Sequence, residues 1–162
     1  MNGDEGLRQA VETAMNAELE GRRFYRSTAL KSTNPVMKGI FESLARSEEY
    51  HIDCIGRISR GKFNLLPAPA AAYVETEKVF AELIEQLRDD ALKAGSDLEA
   101  LDIAMELEHH ACDFYSNWAA RASDNRVRAF CERMAAEETD HLKLITGIKE
   151  FLVDPRGRLG SG

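Results

Sequence analysis

Residues 14–25 read AMNAELEGRRFY and residues 104–115 read AMELEHHACDFY. At this fixed offset of 90 residues Ala14 falls on Ala104, Met15 on Met105, Glu18 on Glu108 and Phe24-Tyr25 on Phe114-Tyr115. The same offset holds through the following segment without a gap. Glu42 pairs with Glu132, Ala45 with Ala135, Glu48 with Glu138, His51 with His141, Ile55 with Ile145 and Ile58 with Ile148. Alanine and glutamate coincide by chance in helical sequences, but the chain has only four histidines and four tyrosines, and two of each enter the register together. The chain is therefore read as two copies of one unit, about 5–60 and 95–150, separated by a crossover of 61–95 that has no counterpart.

Each copy reads as a pair of helices, because apolar residues recur at helical spacing and alternating, β-branched strand patterns are nearly absent. The first helix is expected over about 5–31. Thr33-Asn34-Pro35 then offers a cap with proline at the first helical position, opening a second helix that Gly61 can stop near Arg60. Val79, Leu83, Leu87 and Ala91 suggest an extra helix over about 71–94, inside the crossover. Ser96-Asp97-Leu98-Glu99 reads as a capping box that opens the third long helix, ending near Ala122. Ser123-Asp124 caps the fourth, which reaches about Val153 before Asp154-Pro155; the Gly-rich tail 156–162 is expected to fray. Four long helices bury their apolar stripes by packing as an all-α antiparallel four-helix bundle, one domain over 1–155.

Composition narrows the function classes. Lys and Arg number 21 against 28 Asp and Glu, a net charge of -7 that offers no basic stripe for nucleic acid. No apolar run suits a membrane span and the N-terminus lacks a signal-peptide pattern, so a cytoplasmic protein is expected. Cys54, Cys112 and Cys131 are odd in number and widely spaced, which fits small hydrophobes in a reducing compartment better than a disulfide framework.

The chemistry lies on the apolar stripes. In helix two the stripe of Phe41, Leu44, Ile55 and Ile58 is completed by Glu48 and His51, and in helix four Cys131, Met134, Ile145 and Ile148 are interrupted by Glu138 and His141. Residues three apart are neighbours on a helix, so each Glu and its His point into one volume. Glu18 shares a face with Val11, Ala14 and Tyr25, and Glu108 with Leu101, Ala104 and Tyr115. Closing the bundle brings four carboxylates and two imidazoles together. Each buried carboxylate loses several kcal/mol of solvation and repels the others, so cations must sit among them. Two divalent ions balance the four negative charges, and a carboxylate and imidazole set suits iron or manganese, with zinc as a further occupant. Glu48 and Glu138 are expected to bridge the ions, Glu18 and Glu108 to be terminal ligands, and His51 and His141 to bind one ion each.

Tyr25 and Tyr115 lie about two turns beyond Glu18 and Glu108, where their hydroxyls either hydrogen-bond site carboxylates or fill the core beside Phe24 and Phe114. His109 and His110 fall off the ligand phase and read as surface. Cys112 reads mainly as core filler, and Trp118, Arg22, Arg23 and Arg26 as structural or solvent-facing.

These residues resemble the ferritin-like superfamily, and within it rubrerythrin-type di-iron domains: a Glu from each of two helices and Glu-x-x-His from each of the other two, with Glu-x-x-Gly-x-x-Phe-Tyr at Glu18 especially similar to the first helix of rubrerythrins. The resemblance implies two bound irons that react with hydrogen peroxide or dioxygen, as a peroxide reductase or ferroxidase in oxidative-stress defence or iron handling. The alternative is an iron-binding or storage module without turnover. This sequence has no Cys-x-x-Cys pair for a rubredoxin-like centre, so the resemblance implies a separate electron donor such as a rubredoxin-like protein. A homodimer is expected. Where rubrerythrins tend to carry a further glutamate three residues past the third-helix ligand, this chain has Ala111, whose repeat partner is Gly21. These small residues leave room beside the metals.

Overall fold

A computed structural model describes residues 3–61 and 95–154, and every long element in them is helical. Helix α1 spans Gly3–Lys31, α2 Pro35–Ser59, α3 Gly95–Arg121 and α4 Asn125–Val153. The expected crossover helix and the tail lie outside the described residues.

Local chemistry sets the ends. Asn34 precedes α2 in an extended conformation, and its side chain accepts from Val36 N at 2.9 Å and Met37 N at 3.3 Å. Pro35, which has no N–H to satisfy, takes the first helical position. Asp124 does the same for α4, accepting from Arg126 N at 2.8 Å. Gly61, with φ of 68°, turns the chain after α2 in a conformation that favours glycine. The expected cap at Ser96 is corrected. Gly95 is already helical, so α3 does not begin at that serine, and Asp97 instead is buried with a hydrogen bond to Ser32.

Short connections make α1–α2 and α3–α4 two helical hairpins whose backbones pack closely, whereas backbones of different hairpins approach each other far less. Long side chains fill the space between the hairpins. Two apolar clusters do so at either end. One gathers Met37, Ile40, Phe41, Leu44, Leu101, Ala104, Ile145 and Ile148. The other gathers Ala14, Ile55, Ile58, Val127, Phe130, Cys131 and Met134. The 90-residue offset carries one cluster onto the other, Phe41 to Cys131, Leu44 to Met134 and Ile145 to Ile55. The repeat is thus a symmetry of the core as well as of the sequence. Each fully buried Leu or Ile contributes about 1.5–3 kcal/mol, which lets these clusters offset the several kcal/mol lost by each buried ionised group between them.

Candidate metal centre

Between the clusters, all six sequence-predicted ligand side chains are buried: Glu18, Glu48, His51, Glu108, Glu138 and His141. Glu48 and His51 come from one face of α2, Glu138 and His141 from one face of α4, and Glu18 and Glu108 from α1 and α3. His51 Nδ1 lies 3.2 Å from Glu18 Oε2 and 3.0 Å from Glu138 Oε1. His141 Nδ1 lies 3.0 Å from Glu138 Oε2 and 3.7 Å from Glu108 Oε2. The two imidazoles stack with centroids 5.7 Å apart.

The tyrosines fall on the hydrogen-bonding side of the two readings, while also packing in the core. Tyr115 donates to Glu18 Oε1 at 2.5 Å, and Tyr25 donates to Glu108 Oε1. Each bond crosses from one hairpin to the other, so the tyrosine of one repeat fixes the carboxylate of the opposite repeat. Tyr115 is in turn backed by Trp118, stacked at 6.4 Å, and Tyr25 by Phe41 at 6.3 Å. Burial, reinforced by Glu108 for Tyr25 and by Glu18 for Tyr115, pushes both phenols well above their ordinary value and keeps them donors.

Protonation compensates the charge of the metal-free cluster. Burial, with the charge of Glu18 next, raises the Glu48 carboxyl well above the usual range. Burial and the Glu138 charge push Glu108 up to about 7. Burial opposes charging His141, but Glu108 and Glu138 overcome it and lift the imidazole to about 10. His51 is raised in the same way, its burial outweighed by Glu138 and Glu18. Glu138 is held well below the carboxylate range, since His51 and His141 outweigh its burial.

The donor set fits divalent ions. Oxygen and nitrogen atoms of Glu48, Glu108, Glu138 and His141 lie within 4.8 Å of one another, as do those of Glu18, His51 and Glu138. The two sets share Glu138. Glu138 Oε1 is buried and, although close to His51 Nδ1, receives no well-directed hydrogen bond among the described residues. Its lone pairs face the cluster, as a cation ligand requires. Carboxylate and imidazole together suit iron, manganese or zinc.

A cavity of about 250 Å³ opens onto this cluster between α1 and α3, reaching Glu18, Glu48, Glu108 and Glu138 past Gly21 and Ala111. Gly21 packs directly on Glu48, since a Cβ there would lie 3.3 Å from Glu48 Oε2. His110 lies at this cavity but remains exposed, and His109 is exposed, as expected for residues off the ligand phase. Arg22 and Arg26 pair with Glu49 at the surface. Cys112 is half-buried with Sγ 3.6 Å from Thr139 Oγ1. Cys54, Cys112 and Cys131 are free.

Two contributors escaped the sequence reading. Ser47 Oγ lies 2.9 Å from His141 Nε2, and Glu137 Oε2 lies 3.1 Å from His51 Nε2. Each immediately precedes the Glu of its Glu-x-x-His, a position that looks like solvent face in a Glu-rich helix. The available signal was their mutual register at the 90-residue offset.

An all-α bundle of two hairpins that converge buried carboxylates and histidines at its middle is a ferritin-like four-helix bundle. The family model described as Rubrerythrin matches residues 9–149, and the chain belongs to the rubrerythrin family. Neither the curated proteins nor the solved structures give a match to it. Among the described residues no helix is long and apolar enough to cross a membrane.

Proposed function

We propose that the chain is a non-haem di-iron oxidoreductase of rubrerythrin type, reacting with hydrogen peroxide or dioxygen in oxidative-stress defence or iron handling. The observation that carries this reading is the convergence of six buried donors in two sets sharing Glu138, open to a cavity on one side. Glu18 and His51 would serve one ion and Glu108 and His141 the other, with Glu48 and Glu138 between them. When bound, two ferrous ions would supply one electron each to a small oxidant.

The chain's own residues prepare that chemistry. Tyr25 and Tyr115 hold the terminal carboxylates Glu108 and Glu18 in place, which fixes ligand geometry before an ion arrives. The apolar clusters above and below exclude bulk water. Gly21 and Ala111, small at the two related positions, leave the approach through the cavity open to a small molecule. We assign re-reduction to a separate donor such as a rubredoxin-like protein. The free thiols support a reducing, cytoplasmic setting, and a homodimer is the assembly proposed.

Stopped-flow oxidation of the Fe(II)-loaded protein tests the reaction, comparing peroxide with dioxygen and counting irons retained over repeated cycles. Retention of two irons with faster reaction by peroxide supports a peroxide reductase. Faster reaction with dioxygen supports ferroxidase chemistry. Loading without either oxidation would refute the enzymatic reading in favour of iron binding alone.

A further inference from the structure

Each site histidine has a second ring nitrogen turned away from the shared carboxylates, and the two nitrogens meet different partners. His51 Nε2 faces the Glu137 carboxylate at 3.1 Å. Glu137 in turn accepts from Arg133 Nε at 2.8 Å. Arg133 also donates to the Tyr50 hydroxyl and lies over the Tyr50 ring at 5.7 Å. Among the described residues the partner given to His141 Nε2 is a neutral hydroxyl, Ser47 Oγ at 2.9 Å. Glu137 and Ser47 occupy related places in the two repeats, so the symmetry of the centre breaks at this pair.

The difference is chemical. An ionised carboxylate accepts and cannot donate, so Glu137 keeps the proton of His51 on Nε2 and leaves Nδ1 toward the cluster. A carboxylate behind an imidazole also fixes the ring plane and increases its donor strength toward a metal, which a serine hydroxyl does more weakly. The carboxylates do not make this difference: Glu138 belongs to both donor sets, and Glu48, gathered with His141, also lies 4.0 Å from His51 Nδ1.

We propose that Glu137 is a positioning residue that makes the two metal positions unequal, strengthening His51 as a ligand relative to His141. The proposal rests on the di-metal reading of the centre. Glu137 does not line the cavity beside the cluster, and it acts through the imidazole.

Anaerobic titration with Co(II), followed by calorimetry and by visible absorption, tests it on the full chain and on Glu137→Ala, Glu137→Gln and Ser47→Ala. The parent chain is expected to take two ions. Glu137→Ala should retain one at parental affinity and bind the other about 10- to 100-fold more weakly. Glu137→Gln keeps an acceptor without the charge and should restore part of the loss. Ser47→Ala should weaken the opposite ion, and by less. Mössbauer spectra of the iron-loaded parent and of Glu137→Gln add a readout that a folding defect would not move, since only one of two iron signals should change. Two ions weakened alike, or neither weakened while the parent takes two, would overturn the proposal. A parent chain that takes no Co(II) would instead remove the di-metal reading beneath it.

Discussion

Loading the centre with two divalent ions must expel protons, and the structure sets how many. A metal ligand has to be a neutral imidazole or an ionised carboxylate. At pH 7 the metal-free site holds a proton on His141, whose value is about 10, and His51 is shifted in the same direction by Glu138 and Glu18 against its burial. Glu48 is also raised, by burial first, and Glu108, at about 7, is near half-protonated. Binding two ions at pH 7 should therefore release at least about one to two protons, and apparent affinity for the pair should fall by at least about 10-fold per unit of acidification. Calorimetric titration with Mn(II) in two buffers of different ionisation heat counts the protons directly.

The same shifts fix the sign of the pH effect on the metal-free fold. Glu108 rises from 4.5 to about 7 on folding and His141 from 6.5 to about 10, so the folded chain holds protons that the unfolded chain gives up. Their stabilisation is complete below the unfolded values and is lost as pH climbs through the folded ones. Glu138, depressed on folding, acts oppositely, and its contribution is lost only in acid. Metal-free protein should accordingly lose stability from about pH 5 to pH 10, and loaded protein should not. Uptake of two ions with release of less than about one proton would refute this account of how the site tolerates its charge.

Other perturbations separate the supports of the centre. Gly21→Ala places a Cβ 3.3 Å from Glu48 Oε2 within a helix interior. It should raise helix stability by about 0.5–1 kcal/mol yet slow oxidation of the loaded protein; an unchanged rate would show that Glu48 yields freely. Tyr25→Phe leaves Glu108 without its donor and should cost about 1–3 kcal/mol in urea unfolding of the metal-free chain. No loss there would mean the cross-hairpin bond is not a support. Asn34→Ala removes the acceptor for Val36 N and Met37 N and should cost about 1 kcal/mol by the same assay without altering metal affinity. A change in affinity would indicate that the α2 start and the centre are coupled.

The fold was legible because one constraint wrote itself twice. Buried Glu and His must interrupt an apolar stripe at helical spacing, and the interruptions at Glu48-His51 and Glu138-His141 stand out against Leu44, Ile55, Met134 and Ile145. The caps at Asn34 and Asp124 were equally readable, since each is a short polar residue before a helical run. Ser96 has the same local chemistry, yet Gly95 is already helical and Asp97 turns inward to Ser32, a tertiary contact that a capping pattern does not contain. Glu137 and Ser47 were hidden for a related reason. Their role depends on reaching across to a histidine of the other hairpin, and only packing brings His51 to one and His141 to the other.

The di-metal centre is tested most directly by how many ions the purified chain holds and whether they sit side by side. Metal analysis combined with Mössbauer spectroscopy of anaerobically loaded, then oxidised, protein should give two irons per chain as an antiferromagnetically coupled pair, and none bound stoichiometrically in Glu48→Ala/Glu138→Ala. A single isolated iron, or a pair surviving in the double variant, would contradict it.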